Sequence, residues 1–221
     1  MFPLRDTQPS YSRPIVTVLL IVINLLVFLF EFSLDPESQN LFVDTYALIP
    51  SHFQLANVFT SMFLHSGWMH VLGNMWFLWI FGDNIEDILG HGKYILFYLA
   101  CGTAAALAQV VTNPESQVPM VGASGAIAGV MGAYMLKFPQ SRILTLFTLL
   151  FFWVTEVPAW LMLIYWFGLQ FLSGVGSLGG TQTMQGGVAF FAHIGGFVAG
   201  MILVNLMGPR QRYLRRRDLY W

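Results

Sequence analysis

The chain has 221 residues, of which 56% are hydrophobic, 16% aromatic and only 10% charged, with a net charge of -1 and a mean hydropathy of +0.64. A soluble domain averages roughly a quarter charged residues, so this chain has too few to coat a globular surface, and lipid is the expected solvent. The near-neutral balance gives no case for a nucleic-acid partner. The single cysteine, Cys101, excludes an internal disulfide and reads as a packing residue in its apolar run.

A spanning helix needs about 20 mostly apolar residues, and six runs qualify as candidates. The first, 15–34, follows Arg5 and Arg13. It is too long for the core of a signal peptide and no small-residue cleavage site follows, so a retained anchor is expected. The loop 35–66, at about thirty residues, exceeds ordinary connections and points to function or local structure. Its stretch 55–64 mixes apolar and polar residues and suits the outer interface. The second run is 67–81, extended by a residue or two at each end. The third is 94–112 and the fourth 122–138. The fifth lies within 143–172, and Pro158 near its middle sets the helix start near Val157, after an apolar interfacial connection. A glycine-rich, uncharged loop, 173–187, is either a cover or a flexible connector. The sixth run is 188–207. No repeat of solenoid length appears. The expected organisation is a short N-terminus (1–14), a six-helix membrane domain (15–207) and a basic tail (208–221).

The distribution of basic residues tests the count. All ten, Arg5, Arg13, Lys93, Lys137, Arg142, Arg210, Arg212, Arg215, Arg216 and Arg217, fall on one side if there are six spans. Five or seven spans would break the pattern, so both termini are expected in the cytoplasm. The tail 210–217 reads as a topology signal before it reads as a headgroup contact.

Strongly polar residues inside a membrane are costly unless buried in the bundle or wet, which makes each a functional candidate. His70 and Asn74 lie on the second run, Ser124 on the fourth and His193 on the sixth. At about 1.5 Å per residue, His70 and Ser124 sit ~20 Å, and His193 ~24 Å, from the cytoplasmic ends of their helices. A serine and two histidines thus share one layer. A neutral imidazole can take a serine proton and later return it to a leaving amine. His70 and Asn74, four apart, share a helix face and offer a ring N–H and an amide as donors to a developing oxyanion. The backbone N–H of Ser124 at a helix start is another.

Glycines frame the serine. Gly122 and Gly125 let a substrate backbone and neighbouring helices approach. Gly125, Gly129 and Ala133 form a small-residue stripe, as do Gly196 and Gly200, suited to close helix contact in lipid. The segment GASGA lacks the second glycine of a hydrolase elbow and no strand pattern precedes it. The bland alternatives are plain. A serine in a membrane helix is ordinarily a packing residue, and a lone histidine bridges helices. His65 suits a structural or hydrogen-bonding role, His52 and His91 read as solvated loop residues, and Glu31 and Glu156 as residues snorkelling at the two surfaces. Asn24 has no partner legible in the sequence. Histidine spacing gives no HExxH and there is no thiolate cluster, so no metal and no cofactor are expected.

GASG opening one helix (122–125), HVLGN (70–74) on another and AHIGGFVAG (192–200) on a third resemble the rhomboid intramembrane serine proteases. The resemblance covers roughly 15–207 and is specific in the combination and order of its motifs. It implies an all-α polytopic membrane protein, a six-transmembrane-helix rhomboid-like bundle, with a Ser–His dyad and no third acid. Ser124 would be the nucleophile, His193 the base, and His70 and Asn74 part of the oxyanion site. The short N-terminus is similar to the simple bacterial kind, which implies a bacterial inner membrane. Many members carry a Trp-Arg pair in the first loop. Here Leu55-Ala56-Asn57-Val58-Phe59-Thr60 stands in its place, with Thr60 retained.

The expected activity is cleavage of peptide bonds in or beside transmembrane segments of other proteins, helped by helix-breaking Gly or Pro in the substrate and by small residues at the cleaved bond. Partners are then transmembrane substrates and the bilayer, with oligomeric state open. The alternatives are an inactive relative that binds client helices and a small-solute transporter. The transporter lacks paired broken helices in two halves.

Overall fold

The computed structural model describes residues 2–147, 152–178 and 189–208. Six long helices occupy the six expected runs: α1 (Ile15–Ser33), α4 (Trp68–Leu89), α5 (His91–Thr112), α6 (Ser124–Lys137), α7 (Ala159–Leu178) and α8 (Phe190–Met207). Two shorter helices, α2 (Pro36–Tyr46) and α3 (Asn57–Thr60), lie in the first loop. By length and composition α1, α5 and α8 can each cross a membrane, and α7 is apolar over Ala159–Leu172. The other two differ for physical reasons. The last turns of α4 carry Asp83, Glu86 and Asp87. Helix α6 has 14 residues, 11 of them buried, so it is a central element enclosed by α4, α5, α7 and α8. The outer helices reverse the soluble pattern. Val18, Val22, Leu26 and Leu29 of α1, and Leu161, Ile164 and Leu169 of α7, are exposed, as lipid-facing residues should be.

Three expectations change. The stretch before α7 is not a featureless interfacial connection. Residues 142–147 and 153–158 form strands β2 (Arg142–Phe147) and β3 (Trp153–Pro158), which pair antiparallel from Arg142↔Pro158 to Phe147↔Trp153. Residues Phe2–Asp6 form β1 on the other side of β2, with an irregularity between Pro3 and Arg5. A proline cannot donate to a ladder, which suits β1 to the edge. The protein is therefore mostly helical, with a three-stranded sheet beside the helices, and not wholly α. Second, α4 runs eight residues past Phe81, because its charges are used internally. Glu86 accepts from the N–H groups of Val16 and Thr17 (both 2.8 Å) and from the Thr17 hydroxyl (2.7 Å), closing the unsatisfied start of α1. Asp87 accepts from the Tyr11 N–H (2.8 Å) and from the Ser12 hydroxyl. Third, α7 continues to Leu178, so part of the loop expected over 173–187 is helical. The rest of that loop, and the tail expected over 210–217, lie outside the described residues.

The N-terminal segment is clamped to the same end of the bundle. The Trp76 indole donates to the Pro3 carbonyl (2.7 Å), the Asn84 amide to the Gln8 carbonyl (3.1 Å) and the Tyr134 hydroxyl to Asp6 (2.6 Å). Burial pushes the Asp6 carboxyl up to about 6, against the lowering effect of the Tyr134 bond.

Candidate active site

The site lies at the other end, where α6 begins. The first loop docks onto the segment before α6. Leu48 and Met120 exchange both backbone hydrogen bonds (3.1 and 2.8 Å), and the Gly122 N–H donates to the Ser61 carbonyl (2.8 Å). The loop is itself stapled. The Asn57 amide donates to the carbonyls of Thr45 (3.1 Å) and Ala47 (2.8 Å), and the Thr60 hydroxyl to that of Tyr46 (2.7 Å). The segment lacking the Trp-Arg pair is thus anchored by other means. Gly122 has φ +120°, where a side chain is strained, and a Cβ there would stand 2.7 Å from His70 Nε2. Only glycine allows this turn so close to the imidazole. The turn delivers Ser124 to the first position of α6, where its N–H has no carbonyl one turn back.

Ser124 Oγ lies 2.8 Å from Nε2 of His193, a residue 9% exposed on α8. Glycines bring the two helices together. A Cβ on Gly200 would collide with the Gly129 carbonyl, and one on Gly196 with that of Gly125. The stripes on α6 and α8 therefore face each other at backbone contact. Gly125 also abuts Ala105 of α5, so its closeness is spent on helices. On the far side of His193, Nδ1 lies 2.8 Å from Oε1 of Gln170 on α7, and the Trp166 ring stands 5.7 Å from the imidazole.

His70 and Asn74 complete the arrangement from α4. His70 Nδ1 lies 3.0 Å from the Ser66 hydroxyl. If that hydroxyl donates, the ring proton sits on Nε2, the atom facing Gly122. Asn74 is 8% exposed, and its amide nitrogen has no partner among the described residues. A buried amide donor costs free energy when unpaired. A cavity of about 560 Å³ joins these groups, lined by Ser66, His70, Asn74, Gly122, Ser124 and His193 among others.

Some of the other polar residues settle differently from expectation. Glu31 does not snorkel. It is 2% exposed and accepts from the His65 N–H at 3.3 Å. His65 is buried with its ring 5.1 Å from that of His70, and neither ring nitrogen finds a hydrogen-bond partner among the described residues. Burial, with His70 adding, pushes the His65 imidazole down to about 4. His91 is not a free loop residue. It opens α5 and its Nδ1 lies 2.6 Å from Glu86. His52 is exposed beside Ser51. Glu156 sits on β3, 3.8 Å from Arg142. Asn24 is buried and donates to the Leu20 carbonyl one turn back (2.7 Å). Among the described residues no group of three or more His, Cys, Asp or Glu gathers as metal ligands. Sequence reasoning missed Gln170, Ser66 and Trp166. The signal for Gln170 was present: it stands eleven residues into α7, or ~17 Å along the axis, near the depth of Ser124.

A helical membrane protein with a serine and a histidine in hydrogen-bond contact at a cavity is the class these features define. The chain belongs to the rhomboid family: the family model described as "Rhomboid domain" matches residues 52–210, well over half of it. Similar proteins include RHOMBOID-like protein 1 of Arabidopsis thaliana, 30% identical over 178 residues, covering 80% of this chain and 41% of that protein. The putative rhomboid protease YdcA of Bacillus subtilis (strain 168) is 34% identical over 140 residues, 61% of this chain and 69% of the relative. The rhomboid protease GluP of the same organism is 30% identical over 149 residues, 67% of this chain and 25% of the relative. The chain thus spans less than half the length of the first and third of these proteins.

Proposed function

We propose that this protein is an intramembrane serine endopeptidase that hydrolyses peptide bonds in or near transmembrane segments of other membrane proteins. The observation that carries the reading is the 2.8 Å contact of Ser124 Oγ with His193 Nε2. The buried Asn74 amide nitrogen, without a partner among the described residues and on a residue that lines the same cavity, supports it. Ser124 Oγ attacks the scissile carbonyl carbon while its proton passes to His193 Nε2. The carbonyl oxygen becomes an oxyanion, held by the Asn74 amide, the His70 Nε2–H and the Ser124 N–H. The C–N bond then breaks as His193 returns the proton to the leaving amine. Water, deprotonated by the same imidazole, attacks the acyl-enzyme and releases the acid and Ser124.

In this reading all six long helices cross the bilayer, a bacterial plasma membrane, with both termini cytoplasmic. The cavity opens on the opposite side, at the end formed by the first loop. A substrate helix must unwind to present a carbonyl, which favours Gly or Pro nearby. The close approach at Gly122 favours small residues at the cleaved bond; equal cleavage of bulky and alanine-containing segments would remove that preference.

A serine-directed fluorophosphonate tests the reading. Purified wild type should be labelled on Ser124, and Ser124→Ala and His193→Ala should not be. A folded wild type that stays unlabelled points instead to a protein that binds client helices without cutting them.

A further inference from the structure

The activated base needs one particular tautomer. To take the Ser124 proton, His193 must present a lone pair at Nε2, which requires its own proton on Nδ1. Nδ1 faces Gln170 Oε1 at 2.8 Å. A carboxamide oxygen only accepts, so this contact holds the proton on Nδ1. Among the described residues no carboxylate bonds His193, and His70 is the other titratable group facing it. Gln170 and Trp166 are four apart on α7 and share a face. Trp166 stands against His193 and, 6.2 Å away, against Phe197 one turn further along α8. The amide and the indole together restrict both the proton and the tilt of the ring.

We infer that Gln170 is a positioning residue, the third member of a Ser124–His193–Gln170 relay in which a neutral amide does the orienting. The inference rests on the protease reading for its consequence but not for its geometry. A neutral amide fixes the tautomer without offsetting the positive charge that develops on the imidazole. The site therefore gains orientation without the charge stabilisation a carboxylate would add.

Two measurements test this. The first needs no activity: 15N-labelled histidine spectra of the purified wild type, with His193 assigned by loss of its signals in His193→Ala. A protonated Nδ1 and an unprotonated Nε2 are expected, turning into a tautomer mixture in Gln170→Met. Protonation on Nε2 in the wild type would mean the amide nitrogen, not the oxygen, faces the ring, and would overturn the proposal. The second is kinetic. Gln170→Met, similar in volume but unable to accept the bond, should lower kcat about 10- to 100-fold with KM little changed. Gln170→Glu should restore most of the rate and move the acidic limb of the pH–rate profile upward, because a carboxylate favours the protonated ring. Wild-type rates in Gln170→Met, or a Gln170→Glu no better than it with an unmoved profile, would reduce Gln170 to packing. If the wild type cleaves nothing, the protease reading fails while the spectra still decide the tautomer.

Discussion

Gly196→Ala places one methyl group at the seam on which the site depends. A Cβ there would lie 3.0 Å from the carbonyl carbon of Gly125, nearer still to its oxygen, and 3.4 Å from Ala105 Cβ. Carbon atoms pack best at about 3.5–4.0 Å. With backbone on one side and α5 on the other, the contact with the oxygen must open to at least 3.0 Å, so α6 and α8 must part by about 1 Å or more. Gly125 adjoins Ser124, and His193 lies one turn before Gly196, so the separation falls directly on the 2.8 Å dyad contact. An added ~1 Å carries it past the range of a hydrogen bond, about 3.2 Å. A misplacement of about 1 Å costs on the order of 100-fold in rate, and overpacking costs about 1–3 kcal/mol in stability. Cleavage of a reporter transmembrane segment and thermal unfolding in detergent read both effects. Gly92→Ala, where a Cβ meets nothing within 4 Å, is the control and should behave as wild type. Gly196→Ala retaining activity within about twofold and an unchanged melting temperature would refute the seam as the device that joins Ser124 to His193.

Asn74→Ala should lower kcat about 100- to 1,000-fold while leaving the fold intact, since the amide nitrogen has no partner to lose among the described residues; a loss of under threefold in a steady-state assay would take Asn74 out of the oxyanion site. Glu86→Ala should strip the start of α1 of its acceptors and destabilise the protein by about 3 kcal/mol or more, visible as a lowered melting temperature. For Asp6, raised to about 6 when folded, the folded state binds more protons than the unfolded chain between about pH 4 and 6. Stability should therefore be highest below that window and fall, by about 2 kcal/mol at most, as pH rises through it. Melting temperatures from pH 4 to 7 should show the decline, and Asp6→Asn should flatten it.

The helices were legible because their signal is redundant. Long apolar runs, and basic residues that fall only between alternate runs of the sequence, mark them independently. The candidate site was legible because polar residues within the apolar runs are few, and estimated depth aligned Ser124, His193 and His70. What stayed hidden is instructive. Strands β2 and β3 sit in an apolar stretch whose composition suits a helix as well, and their partner β1 lies more than 130 residues away in sequence, where no local pattern reports it. Asp83, Glu86 and Asp87 look like the charges that end a span, yet Glu86 and Asp87 are buried because the N-terminal segment folds over them. Gln170 went unread because a single amide on an apolar helix resembles tolerated polarity. Among the described residues the facing Nδ1 of His193 is its partner.

The proposed activity is cleavage of peptide bonds within the membrane by Ser124 and His193. The most direct measurement is cleavage of a transmembrane reporter carrying a helix-breaking Gly or Pro, by purified wild type, Ser124→Ala and His193→Ala reconstituted in vesicles, with the product mapped by mass spectrometry. One hydrolysed bond in or beside the reporter's transmembrane segment is expected with wild type and none with either variant. Cleavage that persists in Ser124→Ala, or a folded wild type that leaves every reporter intact, would contradict it.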